Sequence, residues 1–198
     1  MKIVLRGGLE LEDPLGTTIR FVEAYPGYDA RDSRPGTFDE SDLRHANRGG
    51  ARISAAQIAA ILERRRRIER ALRSIAPDAS LADDSVPWRP LTRLFDAFAD
   101  ISGVGFSKMT KALHPKRRAL IPMLDSVVQA YLDADEPKTL PFGERATTLV
   151  GSYKQDLDRN VAALRQIQRD LADRGYPPLT AVRILDLLLW SAYAPARR

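Results

Sequence analysis

Cysteine is absent from the 198-residue chain, and histidine occurs twice, as His45 and His114. Without thiolates there can be no disulfide framework, no cysteine-ligated zinc or iron–sulfur cluster and no cysteine nucleophile. Two histidines are a poor basis for a histidine-rich metal site, so neither a metal nor another cofactor is expected. Long apolar runs are missing too. None approaches the roughly 20 residues that span a bilayer, and Met1 to Leu5 meets Arg6-Gly7-Gly8 far too soon for a signal peptide. A soluble, cytoplasmic protein without membrane contact is the expectation.

Overall charge is also modest. Against 26 acidic residues stand 31 basic ones, a net charge of +5, while 44% of residues are hydrophobic. That apolar share excludes a disordered chain, and the length suits one domain, residues 1–198. Of the basic residues 25 are arginine, a bias that GC-rich coding explains as readily as selection for phosphate-binding forks.

What is present is helical punctuation. Residues 1–38 read as an irregular segment broken by Gly7-Gly8, Pro14, Gly16, Pro26-Gly27 and Pro35-Gly36, with a short strand over Lys2–Leu5 and a short helix over Thr17–Tyr25. Asp39 or Ser41 can cap a helix that runs through Ala46 to the Gly49-Gly50 stop. Ser54 opens a long helix to about Ile75, with Ile58, Ile61, Leu62, Ile68, Leu72 and Ile75 on its inner face. The run Arg64 to Arg67 on that helix reads as a solvated basic face. An acidic loop over 76–87 precedes further helices: Leu91–Asp100, Phe106–Leu113, Pro122 to Tyr131 or Leu132, one or two helices within Glu144–Asp173, and an apolar one over Thr180–Tyr193. Mainly α, a compact helical domain, is the fold class this predicts.

The informative stretch is residues 101–120. It holds Lys108, Lys111, Lys116, Arg117 and Arg118 and no acid, so it carries +5 while the other 178 residues sum to zero. Such clustering marks an anion-binding face, and nucleic-acid phosphate is the usual anion. Gly103 and Gly105 flank Val104 between two helices, where a tight turn brings backbone close to a ligand and helix-opening amides can face a phosphate. Ser107, Lys108 and Lys111 lie on the helix that follows.

Ile101-Ser102-Gly103-Val104-Gly105, with the eight-residue helix ending Ala112-Leu113, resembles the helix-hairpin-helix of the DNA glycosylase superfamily. In that superfamily a Gly/Pro-containing loop follows and an aspartate starts the next helix. Here Asp125 stands 22 residues beyond Gly103, behind Pro122, and residues 91–132 would hold the hairpin and the aspartate-bearing helix. The resemblance implies DNA contact through Gly103, Val104, Gly105, Ser107, Lys108, Lys111, Lys116, Arg117 and Arg118. It also implies Asp125 as the catalytic carboxylate of a monofunctional enzyme that hydrolyses the N-glycosidic bond with water. The lysine of Schiff-base lyases would fall at Ser107; Lys108 is one position late, about 100 degrees round the helix, so no lyase is expected. Over more of the chain, residues 38–43, 115–122 and 182–190 resemble recurring segments of an actinobacterial family of about this length with no established activity.

Other readings stay open beside these. Asp125 can equally be a first-turn carboxylate favoured by the helix dipole. Asp186, inside an apolar helix, must be paired or protonated, either as an arginine's partner or as part of a site. Trp88 and Trp190 are core residues unless they wall a base pocket, and His114 is an ordinary helix-end histidine that could touch phosphate. A non-catalytic DNA-binding module and a protein–protein scaffold built on the last apolar helix are the rival functions.

Overall fold

In the computed structural model, residues 2–25, 27–29, 33–132 and 139–194 are described; Pro26, one of the breaks read above, lies outside them. The chain opens with an antiparallel pair, β1 (Ile3–Val4) and β2 (Glu10–Leu11). Gly7 and Gly8, at φ 77 and 82, make the left-handed turn between them. Asn160 completes the edge of β1 like a third strand: its side chain accepts from Val4 N–H and donates to Val4 C=O, both at 2.8 Å.

Nine helices follow among the described residues. Helix α1 (Pro14–Ala24) has proline at its start and Asp13 as cap, accepting from Gly16 N–H. Helix α2 (Glu40–Arg48) opens with a capping box between Asp39 and Asp42, and α3 (Ala55–Glu63) with one between Ser54 and Gln57. The long helix expected from Ser54 is in fact two. It breaks at Arg64 (φ −92, ψ 6), and α4 (Arg65–Arg73) continues in a new direction. No glycine or proline marks the break. At the break the Arg64 guanidinium donates to the carbonyl of Ala99, 35 residues on.

Helix α5 (Trp88–Asp96) starts and ends earlier than the apolar spacing suggests, and α6 (Phe106–Leu113) matches its expected bounds. The helix expected from Pro122 begins only after Asp125, as α7 (Ser126–Leu132). Residues of the 144–173 stretch form one continuous helix, α8 (Phe142–Asp173), and α9 (Ala181–Tyr193) is capped by the Thr180 hydroxyl. Helix α8 lies against α5, where the Thr92 and Thr147 hydroxyls meet at 2.9 Å, and against α9, where Tyr153 donates to Val182 C=O at 2.7 Å. Buried apolar residues from Ile3 to Leu189 form one continuous core. The chain is mainly helical, and no described helix is long and apolar enough to cross a membrane.

Candidate nucleic-acid interface and carboxylate site

Between α5 and α6 the chain turns at two left-handed residues, Asp100 (φ 60) and Gly103 (φ 70), with Val104 N–H bonded to Ile101 C=O at 3.0 Å. The φ of Gly103 favours glycine, and a side chain there would displace the Gln57 amide. Val104 is buried and pins the turn to the core, while Gly103 and Gly105 are exposed. Gly105 is the cap of α6 and offers no side chain, so the first amides of α6 have no partner within the helix.

The basic side chains of the segment divide sharply. Lys108 donates to Gly103 C=O at 2.9 Å and to Gln57 Oε1 at 2.7 Å, and Gln57 in turn donates to Ser102 C=O. It therefore clamps the turn. Lys116 and Arg117 depart from the expected phosphate contact, because both are buried and turned inward. Lys116 pairs with buried Asp42 at 2.8 Å. The Arg117 guanidinium donates to four carbonyls, those of Pro35, Lys116, Leu72 and Ile75, at 2.6–2.8 Å. Two of the four lie at the C-terminal end of α4, where a cation offsets the helix dipole. Burial pulls the Arg117 pKa down. Half-buried Arg118 donates to Asp29 C=O. What remains at the surface of the α5–α6 segment is the turn itself, with half-buried Ser107 and Lys111, and Arg145 lies over the Phe106 ring at 5.3 Å.

Asp125 caps α7. One oxygen, Oδ1, accepts from Val127 and Val128 N–H at 3.0 Å each, and its carbonyl accepts from Gln129. Oδ2 takes no part in the cap. The residue before Asp125, Leu124, donates its N–H to the Thr110 hydroxyl of α6 at 3.0 Å; on the same helix burial lowers the Lys111 pKa while the charge of Asp125 opposes that shift. Lys111 and Asp125 are both half-buried.

Residues 11–193 match the family of unknown function DUF6308. The chain belongs to this family. No curated protein and no solved structure matches it. The DUF6308 span takes in the α5–α6 turn, Asp125 and a polar cluster that the sequence does not announce.

That cluster centres on Arg183 of α9. Its Nε pairs with Asp29 at 2.8 Å, its Nη1 reaches the Met123 sulfur at 3.6 Å, and its guanidinium lies over the Tyr28 ring at 5.4 Å. Tyr28 stacks on His45 at 4.7 Å. Asp186, one turn on, is not ion-paired to Arg183 in the way a buried arginine partner would be. Its Oδ2 instead accepts from Met123 N–H at 3.2 Å, which fixes the backbone two residues before Asp125. His114 Nδ1 lies 2.7 Å from Ile121 C=O. Against a carbonyl that nitrogen must carry the proton, which leaves Nε2 a bare acceptor. Among the described residues the buried Tyr28 hydroxyl, His114 Nε2 and Asp186 Oδ1 have no hydrogen-bond partner. His114, Arg118, Thr180, Arg183 and Asp29 line a shallow, water-sized cleft. Trp88 packs against the core, and half-buried Trp190 lies edge-on to Phe21 at 5.3 Å. Among the described residues no group of three His, Asp or Glu side chains is placed to hold a metal ion.

Two of these buried groups titrate in opposite senses. Burial raises Asp186 from 3.8 to about 7, with the Arg183 charge opposing. Burial, aided by Arg183, lowers His114 from 6.5 to about 4. Between pH 4 and 7 folded Asp186 keeps a proton that the unfolded chain gives up, so its contribution to stability falls as pH rises. Between pH 6.5 and 4 the unfolded chain gains a proton that folded His114 refuses, so its contribution falls as pH drops. Urea unfolding across pH 4.5–7.5 is expected to show slopes that partly cancel in the wild type (each at most about 1.4 kcal/mol per pH unit). Asp186→Asn should lose stability on acidification, and His114→Asn should gain it. Equal slopes in the two variants would contradict this pairing.

Proposed function

We propose that the protein binds duplex DNA through the α5–α6 hairpin and hydrolyses an N-glycosidic bond at Asp125. One observation carries this reading: a carboxylate with one oxygen outside its own cap stands 22 residues beyond Gly103, on a loop that Leu124 N–H ties to the Thr110 hydroxyl of α6 at 3.0 Å. The unpartnered first-turn amides of α6 and exposed Gly103 and Gly105 would take a backbone phosphate. Ser107 and Lys111 add a hydroxyl and a cation on the same helix. A nucleotide turned out of the stack would present its sugar to Asp125 Oδ2. As the C1′–N bond breaks, positive charge grows on the sugar, and the carboxylate stabilises it and orients a water. The water oxygen bonds to C1′ and its proton leaves with the base, so one water is consumed per base released. Met123 and Asp186 hold the loop that aims the carboxylate.

Gly105→Asp tests the DNA contact without disturbing the fold. Gly105 has φ −96, ψ −172, and a side chain there meets nothing within 4 Å. Aspartate is a preferred helix cap, so the melting temperature should hold or rise slightly. Its carboxylate would occupy the amides and repel phosphate, and duplex affinity should fall tenfold or more. Undiminished binding would remove the hairpin from the interface.

A further inference from the structure

Helix α4 carries more arginine than its packing uses. Ile68 and Leu72 are its buried face. Arg64, at the preceding junction, is tied to Ala99. Arg65 and Arg73 both pair with Glu69, at 2.8 and 3.9 Å, and Glu69 also accepts from Phe38 N–H. That leaves Arg66, Arg67 and Arg70, all exposed. Among the described residues none of the three has a hydrogen-bond or ion-pair partner.

These three cations weaken the helix they sit on. Arg70 is three residues from Arg67 and four from Arg66, so all share one strip of surface with about 6 Å between successive turns. Like charges at that spacing repel. The first turn of α4 holds no acid, and Glu63 at the end of α3 is the only other acid nearby in sequence. A polyanion would convert this repulsion into attraction, and guanidinium forks suit phosphate oxygens better than lysine does. Position gives the strip a use. Arg64, immediately before it, holds the α5–α6 turn at Ala99, and Gln57 of α3 holds the same turn at Ser102. The strip therefore follows directly in sequence on a residue that holds the α5–α6 turn.

We propose that Arg66, Arg67 and Arg70 form a second contact strip for the phosphate backbone of duplex DNA, extending the footprint of the hairpin to flanking phosphates. This inference rests on the hairpin being a DNA contact. The strip touches no base, so it adds affinity and not base preference.

Fluorescence anisotropy with a duplex of about 20 base pairs, titrated at salt concentrations from about 50 to 200 mM, tests it. Each phosphate contact contributes roughly 0.9 to the slope of log affinity against log salt. The Arg66→Gln, Arg67→Gln, Arg70→Gln triple variant should therefore lose roughly 2–3 from that slope. Its circular-dichroism melting temperature should stay level or rise, because repulsion is relieved. A triple variant with the wild-type slope overturns the strip while leaving the hairpin reading intact. Wild-type protein that binds no duplex in a salt-dependent way overturns both. Sedimentation with phosphatidylserine-containing vesicles supplies a further arm: vesicle binding lost in the triple variant, with the DNA slope unchanged, would assign the strip to a membrane surface and overturn the proposal.

Discussion

Arg117→Met is expected to destabilise the protein by about 3–5 kcal/mol, the largest single loss at any of the basic residues of the 101–120 segment. The side chain is 2% exposed and its guanidinium meets four backbone carbonyls and no acid. Hydrogen bonds from a charged donor contribute roughly 1.5–3 kcal/mol each, partly offset by the cost of burying the charge. Methionine fills similar space but leaves all four carbonyls without that donor. For a chain of this length the melting temperature should drop by roughly 10 °C or more. Arg117→Lys should not rescue it, since one ammonium cannot reach around four acceptors as the planar fork does. Thermal and urea unfolding measure both variants. A loss below about 1 kcal/mol would mean that the guanidinium does not hold α4 to the segment after α6.

Asp125 gives the largest expected effect on activity, and its two roles can be separated. Asparagine caps helices about as well as aspartate does, whereas alanine forfeits about 1 kcal/mol. Asp125→Asn should therefore melt close to the wild type, while Asp125→Ala should lose the bonds to Val127 and Val128 and melt a few degrees lower. Base release should fall by on the order of 10²–10⁴-fold in both, because neither side chain carries the charge that the sugar cation needs. Duplex affinity should be unchanged or slightly higher once an anion is gone from the DNA-facing site. Full activity in Asp125→Asn would reduce this residue to its cap.

The helices were legible wherever a local signal sets them. Ser54 with Gln57 and Asp39 with Asp42 announce two starts by capping chemistry, and the apolar spacing of α6 and α9 places them within a residue or two. The break at Arg64 was not legible, because no local breaker marks it; the contact made there reaches a carbonyl 35 residues away. Charge misled where direction matters. Lys116-Arg117-Arg118 is a basic run in any reading of the sequence, but it sits between Leu113 and Leu120-Ile121, and that apolar setting carries two of its side chains inward. The turn of the hairpin follows from Gly103 and Gly105, whereas the clamp on it, Gln57 with Lys108, joins segments 51 residues apart.

The site shows the same division. The first-turn cap at Asp125 was legible from the helix behind it, whereas its proposed catalytic role comes from the resemblance to the glycosylase hairpin-to-aspartate spacing. The Arg183 cluster could not, since Tyr28, Asp29, His114, Met123 and Asp186 come together only through the packing of α6, α9 and the segment before α2. Asp186 illustrates the difficulty: its burial in an apolar helix could be read, but its bond to the Met123 amide depends on a loop 63 residues earlier.

Release of free base from duplex DNA by the wild-type chain tests the central claim most directly. The substrate need not be chosen in advance: genomic DNA, native and chemically damaged, is incubated with the protein, and released bases and abasic sites are quantified by mass spectrometry. Bases and abasic sites should appear in equal number, without strand cleavage, and should be absent with Asp125→Asn. Salt-sensitive binding to the same DNA with no base released from any preparation would contradict the hydrolase and leave a DNA-binding module in its place.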